Sequence, residues 1–218
     1  MQIDFLRSIV YNKNMDSLPK RYDRLYKETS YPFGKEPIFL IKEVVKYLKT
    51  GHVLDVGAGD GRNVLYLARQ GFDISAVDVS KVAINKIREV AKKENIFVNT
   101  VRADARKMKI VRRYDLISAI FILHHLSRIE ALTLINGIMA KTKPHGLNII
   151  AAFTANGDFY RNNPKTHNFY LQHKELKSLY AEWEIIRYKE RNEEALAKRV
   201  GGSPMKNKCA YLLAQKRR

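Results

Sequence analysis

The chain has 218 residues, 45% of them apolar and 28% charged, which suits one soluble globular domain with a sizeable core. No apolar run approaches the roughly 18 residues of a membrane span, residues 1–11 lack the pattern of a secretory signal, and the lone Cys209 excludes an internal disulfide and a thiolate zinc cluster; a cytoplasmic protein with no membrane partner and no bound metal is expected. The formal charge of +18 admits a solvated basic surface or a nucleic-acid or anionic partner, and the scatter of Lys and Arg over the whole chain favours the first.

Residues 1–36 are rich in tyrosine and charge, with weak periodicity, and read as an N-terminal lid segment. Pro37 suits the first position of a helix, in which Ile41, Val44, Val45 and Leu48 share a face and which Gly51 ends. Residues 52–56 form a short apolar strand that runs into Gly57-Ala58-Gly59-Asp60-Gly61. A helix over 62–70 ends at Gly71, and a second strand over 72–77 closes on Asp78. Ser80 caps the next helix, whose buried side carries Ala83, Ile87, Val90 and Ala91. Strands follow at 96–102, ending near Asp104, and at 114–121. Ile135, Ile138, Met139 and Thr142 mark another helix, ended by Pro144 and Gly146 before a fifth strand at 147–153.

This alternation over 37–153 predicts a doubly wound α/β fold, with a mostly parallel sheet covered on both faces. The rhythm changes over 154–218. Residues 154–170 are loop-like, with turn signals at Asn156-Gly157 and Asn163-Pro164. A short helix is expected at 173–180. Two last strands, at 184–188 and 210–214, flank a basic loop holding Gly201-Gly202. They complete a seven-stranded sheet as a closing antiparallel hairpin within a single domain.

Glycines directly after a strand let the backbone turn sharply and come close to a ligand, beside the free N–H groups of the next helix. Asp78 lies 21 positions after Gly57, a spacing that suits a carboxylate accepting both hydroxyls of an adenosine ribose. A dinucleotide fingerprint needs a third glycine three places after the second, where this chain has Arg62. The pattern is G-x-G-x-G, which departs from nicotinamide dinucleotide binding and agrees with adenosylmethionine binding. Asp60 is read either as a ligand contact or as a cap of the following helix, and Asp55 as a member of the motif that orders the loop.

Residues 54–68, Leu-Asp-Val-Gly-Ala-Gly-Asp-Gly-Arg-Asn-Val-Leu-Tyr-Leu-Ala, resemble motif I of class I S-adenosylmethionine-dependent methyltransferases. The Gly-Arg-Asn continuation is similar to the tellurite-resistance methyltransferase family in particular, as are residues 143–148 and a tail with Leu176, Tyr180, Trp183 and Tyr188. The resemblance implies a Rossmann-like methyltransferase that uses S-adenosyl-L-methionine. It places Gly57, Ala58, Gly59, Arg62 and Asn63 around the methionine part. It sets Asp78 on the ribose with Val79 and Ser80 beside it, Asp104 and Ala105 at the adenine, and Ile120 and Phe121 on the floor. The family's tail carries a His-Arg pair at the acceptor side, and the nearest match here is Lys198-Arg199.

A sulfonium methyl is already activated, so the protein must align an acceptor and exclude water. A general base is needed only for an acceptor that arrives protonated. His124 and His125 follow the fourth strand, where a histidine can orient or deprotonate an acceptor. Tyr22, Tyr26 and Tyr31 are placed as a substrate-side lid, and Lys198 and Arg199 as ligands for an anionic acceptor. The expected reaction is methyl transfer to a small, anionic or soft-nucleophile acceptor by a monomer or dimer. An RNA methyltransferase using the basic surface and a non-catalytic cofactor-binding regulator are the alternatives. Cys209 belongs to the last strand, away from the position a pyrimidine-methylating nucleophile needs.

Overall fold

The computed structural model describes residues 17–162, 168–198 and 204–218. Its centre is β1 (His52–Val56), whose last four residues are buried because the strand is covered on both faces. In register with it run β2 (Asp73–Asp78) on one side and β4 (Tyr114–Ile120) on the other, both parallel. β3 (Val98–Arg102) extends the sheet beyond β2, and β5 (Thr142–Phe153) extends it beyond β4. The sheet closes with β7 (Pro204–Gln215) antiparallel to β5, and β6 (Glu184–Lys198) antiparallel to β7. The order is β3-β2-β1-β4-β5-β7-β6, so strand order reverses beside β1, where ligands bind in open α/β sheets.

Alternation along the strands sorts the core into two layers. Val53, Leu116, Ile149 and Leu213 face α2 (Phe39–Val44), α3 (Arg62–Arg69) and α4 (Lys81–Lys93). Leu54, Ile117, Ile150 and Leu212 face α5 (Arg128–Lys141), with Tyr180 and Trp183 in the same layer. Ser80 caps α4 through its Oγ, which accepts from Ala83 N at 3.1 Å. Ser127 and Glu130 form a capping box at the start of α5.

Four expectations need correction. The lid segment contains a helix, α1 (Leu18–Glu28), whose buried side includes Arg21 as well as Leu25 and Tyr26; the charged residue blurs the apolar stripe. The helix before β5, α5, ends at Lys141, and Pro144 and Gly146 lie inside β5, at a register shift against β4 where a bulge tolerates proline. Residues 154–170 include the short helix α6 (Asp158–Asn162), while α7 (Glu175–Leu179) falls within the short helix expected at 173–180. The closing strands are far longer than 184–188 and 210–214, so most of the expected basic loop is ladder. Glu193 pairs with Asn207 and Glu194 with Lys206 in a two-stranded arm that continues past the pairing of Cys209 with Phe153 at the end of β5. No helix among the described residues is long and apolar enough to cross a membrane.

Candidate active site

At the carboxyl ends of β1, β2, β4 and β5 lies a cavity of about 370 Å³, within the usual range for a small-molecule site. Its floor is the glycine loop. Gly57, Gly59 and Gly61 all have φ in the left-handed region, +79°, +57° and +92°. A Cβ on Gly59 would come within 2.7 Å of Tyr26 Oη, so a side chain there would push the Tyr26 phenol aside. The N–H groups of Gly57 and Ala58 donate to Val77 O at 2.8 and 2.9 Å, tying the loop to β2.

Asp78 closes β2 against this loop. Its Oδ2 accepts from Gly59 N and its Oδ1 from Ser80 N, both at 2.8 Å. Burial pushes its carboxyl above the usual range, opposed by these backbone donors. Asp60 is also buried and raised by burial, and its Oδ2 has no hydrogen-bond partner among the described residues. It does not cap α3: the cap position is Gly61, without a side-chain bond.

Gly57, Ala58, Gly59, Arg62 and Asn63 all line the cavity. Arg62 donates to Phe33 O, and Asn63 Oδ1 accepts from Ile38 N at 3.1 Å, fixing the entry to α2. Asp78, Val79, Asp104 and Ala105 line one end, and Ile120 and Phe121 the middle. Asp104 is held by Arg106, whose guanidinium takes both carboxylate oxygens and lowers its pKa. Phe121 has φ +53°, a strained setting for a bulky residue, and its ring lies 5.0 Å from that of Phe153.

Two expected contacts lie behind the wall. Asp55 is buried under the loop, where its Oδ1 accepts from Ser118 Oγ at 2.6 Å, and burial pushes its carboxyl up to about 6. Ser80 is fully buried as the α4 cap, and its Oγ donates to Asp23 at 2.6 Å. Neither faces the cavity.

α1 roofs the site. Asp23 anchors it to the start of α4, accepting from Ser80 Oγ and from Val82 N at 3.1 Å. This brings Tyr22 and Tyr26 into the wall, and burial raises both phenols. Tyr22 Oη lies 2.7 Å from His125 Nε2. His124, with its ring centroid 3.8 Å from that of His125 and 4.9 Å from that of Phe153, lines the cavity too. Tyr31 does not; its backbone turns away at φ +52°, and Lys35 sits over its ring. The side chain of Lys198 and all of Arg199 lie outside the described residues.

In place of the expected cations, the described part of the C-terminal arm presents Glu193, Glu194, Asn207, Cys209 and Tyr211. Burial pushes the Cys209 thiol up to about 12, so it stays protonated. Phe153 and Phe159 complete this end. Sequence reasoning missed Asp23 and the arm residues, because their approach depends on helix docking and strand pairing. Among the described lining residues, five carboxylates face one Lys or Arg side chain, Arg62.

The model of the family described as "Tellurite resistance protein TehB" matches residues 38–213. The chain is 30% identical over 177 residues to a probable S-adenosyl-L-methionine-dependent methyltransferase TehB of Haemophilus influenzae (strain 10810), covering 81% of this chain and 61% of the relative. It is 29% identical to a protein named Hemagglutinin 1 of Eikenella corrodens over 81% of this chain and 58% of that one. It thus spans about three fifths of the length of these curated relatives. The crystal structure of TehB from Haemophilus influenzae superposes with a TM-score of 0.74 at 26% identity, over 99% of this chain and 67% of that one. Magnesium protoporphyrin IX methyltransferase from Synechocystis PCC 6803, with bound SAH, shares the fold at a TM-score of 0.64 and 14% identity, over 98% and 93% of the two chains. With a family model spanning the sheet, the glycine loop and the closing hairpin, the chain belongs to the tellurite resistance protein TehB family.

Proposed function

We propose that this protein is an S-adenosylmethionine-dependent methyltransferase acting on a small molecule. The observation that carries the reading is the pairing of the Gly57–Gly61 loop with Asp78 at the reversal of strand order, in a cavity rich in carboxylates. The residues present fit the cofactor. Asp78 stands at the end of β2 for the ribose, and Val79 and Ala105 flank an adenine. The buried Oδ2 of Asp60 offers an acceptor to an ammonium or sulfonium charge. The printed name of the Haemophilus influenzae relative, a probable S-adenosyl-L-methionine-dependent methyltransferase, agrees with this reading.

When bound, the cofactor supplies an activated methyl group. The protein then has to orient an acceptor and keep water out. α1 roofs the cavity with Tyr22 and Tyr26, and the aromatic rings of Phe121, Phe153 and Phe159 form a dry wall. This wall suits a soft, weakly hydrated nucleophile better than an oxyanion, for which the described arm residues lining the cavity offer carboxylates and no cation. Calorimetric titration with S-adenosylmethionine and with nicotinamide dinucleotide tests the cofactor. Saturable binding of the first alone is expected, and tight binding of the dinucleotide with no response to the first overturns the reading. Transfer of labelled methyl to a panel of thiols, amines, oxyanions and RNA then tests the reaction.

A further inference from the structure

We propose that Glu193 takes a proton from the methyl acceptor, and that the acceptor is therefore a neutral nucleophile carrying a hydrogen on its reacting atom, of the thiol class. The inference rests on the methyltransferase reading above and adds the acceptor's chemistry to it.

The cavity has two ends, set by strand order. Asp78 and Asp104 belong to the β2–β3 end, while Glu193 and Tyr211 come from β6 and β7, on the other side of β1, β4 and β5. Three strand spacings of about 4.8 Å separate β1 from β7, roughly 14 Å in all. A nucleoside held at Asp78 and the glycine loop thus leaves the β5–β7–β6 end for the acceptor.

At that end Tyr211 Oη donates to Glu193 Oε1 at 2.7 Å, and Arg191 Nε donates to the same oxygen. Arg191 is itself fixed between two rings, 4.8 Å from the centroid of Phe39 and 4.9 Å from that of Tyr211. Both donors act on one oxygen, and Oε2 takes no hydrogen bond from any other described residue. The carboxylate is therefore oriented with an open acceptor atom in a cavity wall. A carboxylate repels an anionic acceptor but can receive a proton from a neutral one. The neighbouring Phe153 and the protonated Cys209 make the surroundings apolar, which suits sulfur. His125 is less suited, since its Nε2 is already engaged by Tyr22.

The step balances. The acceptor sulfur's lone pair bonds to the methyl carbon. The bond from that carbon to the sulfonium breaks, its electron pair staying on the departing thioether. The acceptor's proton passes to Glu193 and then to solvent.

The test compares two thiols, 2-mercaptoethanol, which is protonated at neutral pH, and 4-nitrobenzenethiol, which is ionised there. Glu193→Gln should lower kcat/KM for 2-mercaptoethanol at least about 30-fold, within the usual worth of a general base, and that for 4-nitrobenzenethiol less than about threefold. Tyr211→Phe, which removes one orienting donor, should shift the same ratio in the same direction by less, and it decides the matter should Glu193→Gln fail to fold. Equal losses with both thiols, or no loss with either, overturn the proposal. So does a wild-type protein that binds S-adenosylmethionine yet methylates neither thiol, an outcome that leaves the cofactor reading standing. A wild-type protein that does not bind S-adenosylmethionine overturns that reading instead.

Discussion

Asp78 does two things with one carboxylate. It holds the glycine loop and the start of α4 through Gly59 N and Ser80 N, and it keeps further lone pairs for a ligand's hydroxyls. Charge-assisted bonds contribute about 1.5–3 kcal/mol each, so Asp78→Ala should weaken S-adenosylmethionine binding at least about tenfold in calorimetry, one decade being about 1.4 kcal/mol. The ligand-free protein should also lose on the order of 1–3 kcal/mol in urea unfolding, because the buried Ser80 N–H and the half-buried Gly59 N–H lose their acceptor. Unchanged affinity in the folded variant would remove Asp78 from the site. Asp55 behaves differently. Burial raises its carboxyl from 3.8 to about 6, so the folded state favours the protonated form. The stability this contributes is complete below about pH 4 and is lost as pH rises through about 6. Asp55→Asn should therefore be more stable than the wild type at pH 8, by on the order of 1–3 kcal/mol, with the advantage shrinking as pH falls from 7 to 4.5. An advantage independent of pH over that range would show that the charge is not the cause.

At the scale of elements, the local rules reach as far as β1, the glycine loop, α3 and β2. A glycine run after an apolar strand and an acid at the next strand's end are legible because neighbours in sequence make them. The roof and the arm are not. β6 carries Lys189, Glu190, Arg191, Asn192, Glu193 and Glu194 in succession, a run that reads as solvated loop. Its ladder becomes intelligible only beside β7, where Glu194 meets Lys206 and Glu190 meets Lys208 Nζ at 3.2 Å. The side chain of Lys198 and all of Arg199 lie outside the described residues, and the charged arm residues that do line the cavity are carboxylates, Glu193 and Glu194. α1 was hidden for a related reason, since its value to the fold is a carboxylate at the start of another helix. Asp23 meets α4 where free N–H groups and the helix dipole favour an anion. Asp23→Ala should therefore speed hydrogen exchange of the α1 amides at least about tenfold while leaving β1 and β4 protected, and should reduce methyl transfer more than cofactor affinity. Unaltered exchange in α1 would mean that the tyrosine contacts alone hold the roof.

At the scale of the whole molecule, the charge of +18 and the cavity have opposite signs. Five described carboxylates line the cavity against Arg62, while other basic residues lie elsewhere, as in the run Arg102, Arg106, Lys107, Lys109, Arg112 and Arg113 from the end of β3 to the start of β4. A basic exterior attracts any polyanion, because each phosphate contact releases counterions. Attraction of that kind falls steeply with salt and says nothing about what enters the site. An acidic cavity favours a cationic sulfonium and disfavours a phosphate backbone threaded towards it. RNA should therefore bind the protein weakly and without sequence preference, with an affinity that drops by orders of magnitude between about 50 and 200 mM salt. Methyl transfer to the small acceptor should change far less over the same range, because contacts inside a cavity are screened less than surface charges. The decisive measurement is transfer of labelled methyl in a cell extract before and after ribonuclease treatment. Retention of the label in small molecules after treatment is the expected result. Loss of all acceptor activity with the RNA would mean that the basic surface guides the substrate and that the acidic cavity admits a flipped base.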